Sequence, residues 1–183
     1  MLRAILWISI LLSPFSRLLA QQYIPVDEGS SVQFRIVNHL VFTTTVNGYL
    51  KGLKGTIRFN PEEPKAALFD VSVAVNTIST GINMRDKDLK KEKYFNAEQY
   101  PVIHLRSNSV TATDKKGVYH LSAALTIRGI TKNISFPFTA TPVNGGYLFK
   151  GTFQIKRLDF NVGTDNAIED QLTVMLEVTA RKQ

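Results

Sequence analysis

The sequence predicts an all-β domain of eight or nine antiparallel strands carrying one short helix. Three observations lead there. Apolar residues recur with period two along most of the chain, the pattern of half-buried strands. Gly- and Asn-rich turns punctuate these runs at short intervals. One segment only, Asn83 to Lys93, breaks the alternation with helix-forming residues.

The first 20 of the 183 residues read separately, as a secretory signal peptide. Arg3 supplies the positive start, Ala4 to Leu12 form an apolar core of 9 residues, and Pro14 ends it. Such a core is too short to span a bilayer as a helix but suits a signal sequence. Cleavage is expected between Ala20 and Gln21. It removes Arg3, Arg17 and the sole tryptophan, Trp7, and lowers the formal charge from +7 to +5. The domain is then residues 21–183. The chain has 0 Cys, which excludes a disulfide framework, a thiolate metal site, a cysteine nucleophile and a lipid-modified cysteine. The mild positive charge is scattered apart from the lysine run 87–93. Nucleic-acid binding calls for a clustered basic stripe, so no nucleic acid is expected as a partner. A transient attraction to anionic membrane surfaces is compatible with this charge.

Strand by strand, the apolar faces are Val32, Phe34 and Ile36; Leu53, Ile57 and Phe59; Phe69, Val71, Val73 and Val75; Tyr119, Leu121, Ala123, Leu125 and Ile127; Ile134, Phe136 and Phe138; Tyr147, Phe149, Phe153 and Ile155; and Leu172, Val174, Leu176 and Val178. Weaker strands fall near residues 43–50 and 102–110. Asn144-Gly145-Gly146 is a hairpin signal, since these residues tolerate positive φ. Pro137 donates no hydrogen bond and is expected at an edge or bulge. In the helical segment Asn83 is placed to cap the N-terminus, with Asp86 in the first turn and lysines toward the end. Tyr94 and Phe95 follow as anchors.

One apolar face per strand allows a two-sheet sandwich or a closed barrel. In the barrel the interior is either a filled core or an apolar pocket beneath the helix. Both remain open on pattern alone. The chemistry is sparse. No nucleophile elbow is present. His39, His104 and His120 lie on separate segments, each on the polar side, and no metal site or catalytic residue is assigned to them. Arg85-Asp86 and Arg157-Leu158-Asp159 pair a guanidinium with a carboxylate near element ends, as structural salt bridges do. Asn133-Ile134-Ser135 matches the N-glycosylation pattern.

Gly81-Ile-Asn-Met-Arg-Asp-Lys-Asp-Leu89, Tyr94-Phe95-Asn96 and Tyr100-Pro101-Val-Ile-His-Leu-Arg-Ser107 resemble the signature of the YceI-like family. Val46-Asn-Gly-Tyr49, Gly55-Thr-Ile-Arg-Phe59, Ala124 to Thr131 and Ile155 to Gly163 follow the same family in order. The resemblance implies an eight-stranded lipocalin-like barrel with a helix near its mouth, and a periplasmic or secreted protein. It also implies an apolar tunnel holding an isoprenoid lipid, either a polyprenyl lipid or a quinone tail, with no other cofactor and no enzymatic activity. The expected lining is Phe34, Phe69, Val73, Leu121, Phe136, Phe149 and Phe153. The expected polar mouth is His39, Arg85 and Asp86. Asp88 stands where the family often has His. A solid β-domain binding another protein and, behind it, an enzyme on the same barrel are the competing readings.

Overall fold

The computed structural model describes residues 21–39, 42–164 and 166–183. The proposed leader lies outside them. Eight strands, β1 (Gln22–Asn38), β2 (Thr44–Arg58), β3 (Leu68–Ser79), β4 (Val102–Ala112), β5 (Val118–Ile127), β6 (Ile130–Val143), β7 (Gly146–Lys156) and β8 (Gln171–Lys182), form an up-and-down antiparallel barrel. β1 pairs with β8 and closes it. The sandwich alternative is thereby excluded. Closure satisfies the backbone groups that an open sheet would leave unpaired at its edges.

The two sequence segments 43–50 and 53–59 are one strand. Lys51 faces Ala74 while Lys54 faces Ser72, so β2 carries an extra residue against β3. Gly52 takes φ +75°, and the N–H groups of Gly52 and Leu53 donate to the two carboxylate oxygens of Asp27, each at 2.9 Å. An extra residue flips the side-chain parity of a strand. Hence Val46 and Leu50 point inward before the bulge, and Ile57 and Phe59 after it. β1 changes parity likewise, from Tyr23 and Pro25 to Val32, across the irregular stretch where its pairing with β8 shifts between Val26 and Ser31.

Pro137 is exposed and pairs with His120 on β5. The pairing of β6 with β7 begins only at Phe138, so Pro137 sits where that side of its strand lacks a partner. The helix α1 spans Asn83–Leu89 and is shorter than the segment 83–93. Its N-cap is Ile82, with no side-chain cap, and not Asn83. The polar closure comes from Asp86, whose carboxylate reaches back to Thr80. After Leu89 the chain tightens, and the N–H of Phe95 donates to the carbonyl of Leu89.

The barrel has two unlike halves. At the end formed by the start of β1, the end of β8 and residues 59–67, 113–117 and 144–145, aromatic side chains fill the interior. Phe59 is the hub. It is 1% exposed and makes ring contacts with Phe69, Tyr119, Phe138, Tyr147 and Phe149, the last at 5.3 Å and 86°. Edge-to-face pairs of this kind add about 0.5–1.5 kcal/mol each beyond simple burial. At the other end lie the β1–β2 loop, α1 and its following segment, the β5–β6 turn and the β7–β8 loop.

Candidate functional site: an apolar cavity under the helix

The second half of the barrel holds a cavity of about 210 Å³. Mostly apolar side chains of β1, β2, β7 and β8 and of β3, β4 and β5 line it. Leu89, Tyr94 and Phe95 reach over it from α1 and the segment that follows. The helix ends at Leu89, and the tightened segment after it brings Tyr94 and Phe95 to the same cavity.

Of the expected lining residues, Phe34, Val73 and Phe153 lie on the cavity wall. Phe69, Leu121, Phe136 and Phe149 do not. They are 4–7% exposed and belong to the packed closed half. Inward direction along a strand is visible in the alternation, but position along the barrel axis is not. These four side chains therefore belong to the packed half, where the family resemblance placed them along a continuous tunnel.

The polar mouth is also rearranged. Arg85 is on the cavity wall, and it donates from Nε to the Thr80 hydroxyl at 2.7 Å and from Nη2 to the Thr80 carbonyl at 3.1 Å. Its Nη1 has no protein partner among the described residues. Asp86 is 9% exposed and faces away from the cavity. It accepts from the Thr80 N–H at 2.7 Å, from the Thr80 hydroxyl at 2.5 Å and from the Ser79 hydroxyl at 3.3 Å. Burial pushes its pKa upward, but these hydrogen bonds and the neighbouring Arg85 outweigh it and hold the carboxyl below the ordinary value of 3.8. Asp86 thus fixes the entry to α1. His39 sits on the outer rim, where its ring bridges the Thr43 hydroxyl at 3.1 Å and Glu169 at 2.8 Å. It ties the β1–β2 loop to the β7–β8 loop and lies off the cavity wall. Asp88 pairs with Lys91 at 2.7 Å, also away from the wall.

Arg157, expected from the sequence in a structural salt bridge, holds the β7–β8 loop through backbone carbonyls. The side chain is buried and lines the cavity. Nε donates to the carbonyl of Glu169, Nη2 to that of Ile168, and Nη1 to those of Val162 and Gly163, at 2.9–3.0 Å. It binds the β7–β8 loop into a rim. The signal for it was present in Arg157-Leu-Asp-Phe160, but carbonyl partners carry no mark in a sequence.

Among the described residues, the charged ones on the wall are Arg85 and Arg157, and no carboxylate lies beside them there. The histidines do not converge. His104 pairs with Asp70 at 2.7 Å on the outer wall, and His120 is exposed on β5. Among the described residues no group of three His, Cys, Asp or Glu side chains is placed to hold a metal ion. The arrangement can therefore bury an apolar chain and donate hydrogen bonds at one end of it.

The fold is shared with solved structures. BcnA of Burkholderia cenocepacia superposes with a TM-score of 0.74 at 21% identity, covering 81% of this chain and 94% of that one. A polyisoprenoid-binding domain from Saccharophagus degradans gives 0.70 at 14% identity, covering 90% of this chain and all of that domain (100%). Among sequences, a UPF0312 protein of Photorhabdus laumondii is 29% identical over 164 residues, 86% of this chain and 83% of its own length. Protein YceI of Salmonella newport is 29% identical over 140 residues, 73% of this chain and 71% of its own. The model of the YceI-like domain matches residues 24–180, nearly the whole barrel, and the chain belongs to that family.

Proposed function

We propose that this protein is an exported, non-enzymatic carrier of an isoprenoid lipid, either a polyprenyl lipid or a quinone. The observation that carries the reading is the cavity itself, an unfilled apolar space in a barrel whose other half is densely packed. A solid β-domain would have no such space. Each methylene moved from water into it contributes about 0.8 kcal/mol, so an apolar chain binds with few polar contacts. The name of the Saccharophagus degradans domain, polyisoprenoid-binding, supports the same class of ligand. The Arg85 guanidinium on the cavity wall suits a head group that accepts hydrogen bonds, such as a phosphate or a quinone carbonyl. Arg85 is the residue assigned to that contact.

Export rests on the leader expected from residues 1–20, and a carrier in the periplasm suits a ligand insoluble in water. Loading from a membrane surface is helped by Phe42 and Met84, which are 79% and 76% exposed at the open end. The test has two arms. Delipidated protein is titrated with a fluorescent polyene fatty acid, which is then competed with geranylgeraniol. Saturable displacement supports the reading, and no binding of either overturns it. N-terminal sequencing of exported protein is expected to begin at Gln21. An intact Met1 in the membrane fraction overturns export as a free protein.

A further inference from the structure

Apolar exposure is concentrated at the open end of the barrel. Among the described residues, the large apolar side chains more than half exposed are Phe42, Met84 and Ile82, the last at 52%. Phe42 lies in the β1–β2 loop, and Ile82 and Met84 stand at the start of α1. The closed end has nothing comparable, its most exposed large apolar side chain being Ile24 at 40%.

The helix has two faces. Arg85 and Leu89, four residues apart, share the face on the cavity wall. Met84 and Lys87, three apart, share an exposed face, and Lys91 follows, also exposed, just beyond the helix. Charge is divided unevenly around the mouth. Residues 83–93 carry five basic against three acidic side chains, a net +2. Of those three, Asp86 is buried and Asp88 is held by Lys91. The β7–β8 side has the opposite sign: residues 157–170 carry one arginine against four carboxylates, a net −3. An anionic surface therefore attracts the α1 side of the mouth and repels the other.

An isoprenoid that crossed water on its way in would lose about fourfold in partitioning for each methylene exposed. Uptake straight from a bilayer avoids that loss, and it requires the mouth to touch the bilayer. Exposed apolar side chains beside lysines suit such contact. The apolar groups enter the interface, and the ammonium groups meet the lipid phosphates.

We propose that Ile82 and Met84, with Lys87 and Lys91 beside them, form a docking surface for an anionic phospholipid bilayer, and that α1 is the element laid on it. The direction of loading rests on the isoprenoid reading above, whereas the docking itself rests on these side chains. The helix that touches the bilayer is then the one that presents Arg85 and Leu89 to the cavity.

The experiment is flotation of the exported protein with phosphatidylcholine vesicles, with and without about 30% phosphatidylglycerol. Binding is expected to the anionic vesicles, to be weak without phosphatidylglycerol, and to fall at about 0.5 M salt. Ile82→Ser/Met84→Ser and Lys87→Glu/Lys91→Glu are each expected to lower partitioning by about tenfold or more. Ile24→Ser at the closed end should bind as the parent does. Melting curves establish that the variants are folded. Equal binding to the two vesicle types, no binding to either, or unchanged binding in folded α1 variants overturns the docking surface. Sedimentation velocity addresses the other occupant: self-association lost in Ile82→Ser/Met84→Ser, without vesicle binding, overturns the proposal and assigns the face to a second copy. Uptake of geranylgeraniol from detergent micelles, measured on the same parent protein, separates the two readings. Uptake without docking overturns the docking surface and leaves the carrier reading standing. Docking without uptake overturns the carrier reading and leaves the docking surface in place.

Discussion

The ring of Phe34 on β1 lies directly across Gly48 on β2, so close that a Cβ on Gly48 would fall 2.1 Å from its Cζ. The two residues are register partners. The absent side chain on β2 is what lets the ring lie back against the wall and leave the cavity open. Gly48 has an ordinary negative φ, since it is not among the positive-φ residues, so substitution there carries no backbone strain of its own. Gly48→Ala should swing the Phe34 ring into the cavity. We expect the melting temperature to change little and the capacity for an apolar ligand to fall by about tenfold or more. Calorimetry and ligand titration on one sample check this. Unchanged binding in a folded variant would show that the cavity beside Phe34 is not the site.

Stability and binding should separate between the two halves. Phe59→Ala removes the hub of the closed half and should cost about 3–5 kcal/mol. Molecules that remain folded should still bind ligand, because Phe59 is off the cavity wall. Val73→Phe does the reverse. It adds a ring on the wall, filling space that a filled core would resist at about 1–3 kcal/mol. Here the fold should tolerate it while ligand is lost. Urea unfolding curves and ligand titrations of both variants give the comparison.

This division was only half legible in the sequence. The alternation identified the inward faces of β5 and β7 and, on β8, the cavity-lining Leu172, Val174, Leu176 and Val178, because those strands keep one parity; it stopped short of Ala180, which is fully buried. It split β2 in two, because the bulge at Gly52 shifts the parity and its stabilising partner, Asp27, is remote in sequence. Whether an inward Phe lies on the cavity wall or in the packed half depends on stagger between strands. Nothing in the local pattern of Phe69 or Phe149 distinguishes them from Phe153. At the mouth, Arg85 and Asp86 are adjacent in sequence but diverge in space, Arg85 onto the cavity wall and Asp86 toward the Ser79–Thr80 turn.

Arg157 should resist conservative replacement. Its guanidinium reaches four carbonyls in different directions, a geometry that a lysine ammonium cannot reproduce. Arg157→Lys is expected to destabilise the protein by about 2–4 kcal/mol, since the buried carbonyls of Val162 and Gly163 lose a charged donor. Amide hydrogen exchange should quicken first in the β7–β8 loop. Wild-type stability in Arg157→Lys would contradict its role in holding the rim.

Acid should loosen the entry to α1. The carboxyl of Asp86 has a folded pKa below its ordinary value, so the unfolded chain binds the proton more readily. Its contribution to stability is complete above the unfolded value, near pH 4, and is lost as the pH falls through the folded value. Asp86→Asn should therefore be less stable than the parent at neutral pH, and the gap should narrow as the pH drops below about 4. A gap that is constant with pH would mean that the charge of Asp86 plays no part.

Native mass spectrometry of the protein, purified gently from the envelope of its own host, tests the carrier reading most directly. The account predicts a complex heavier than the polypeptide by the mass of one isoprenoid lipid, released on collisional activation and absent from Val73→Phe prepared in the same way. A bare polypeptide mass in every preparation, with no lipid in the organic extract, would contradict it.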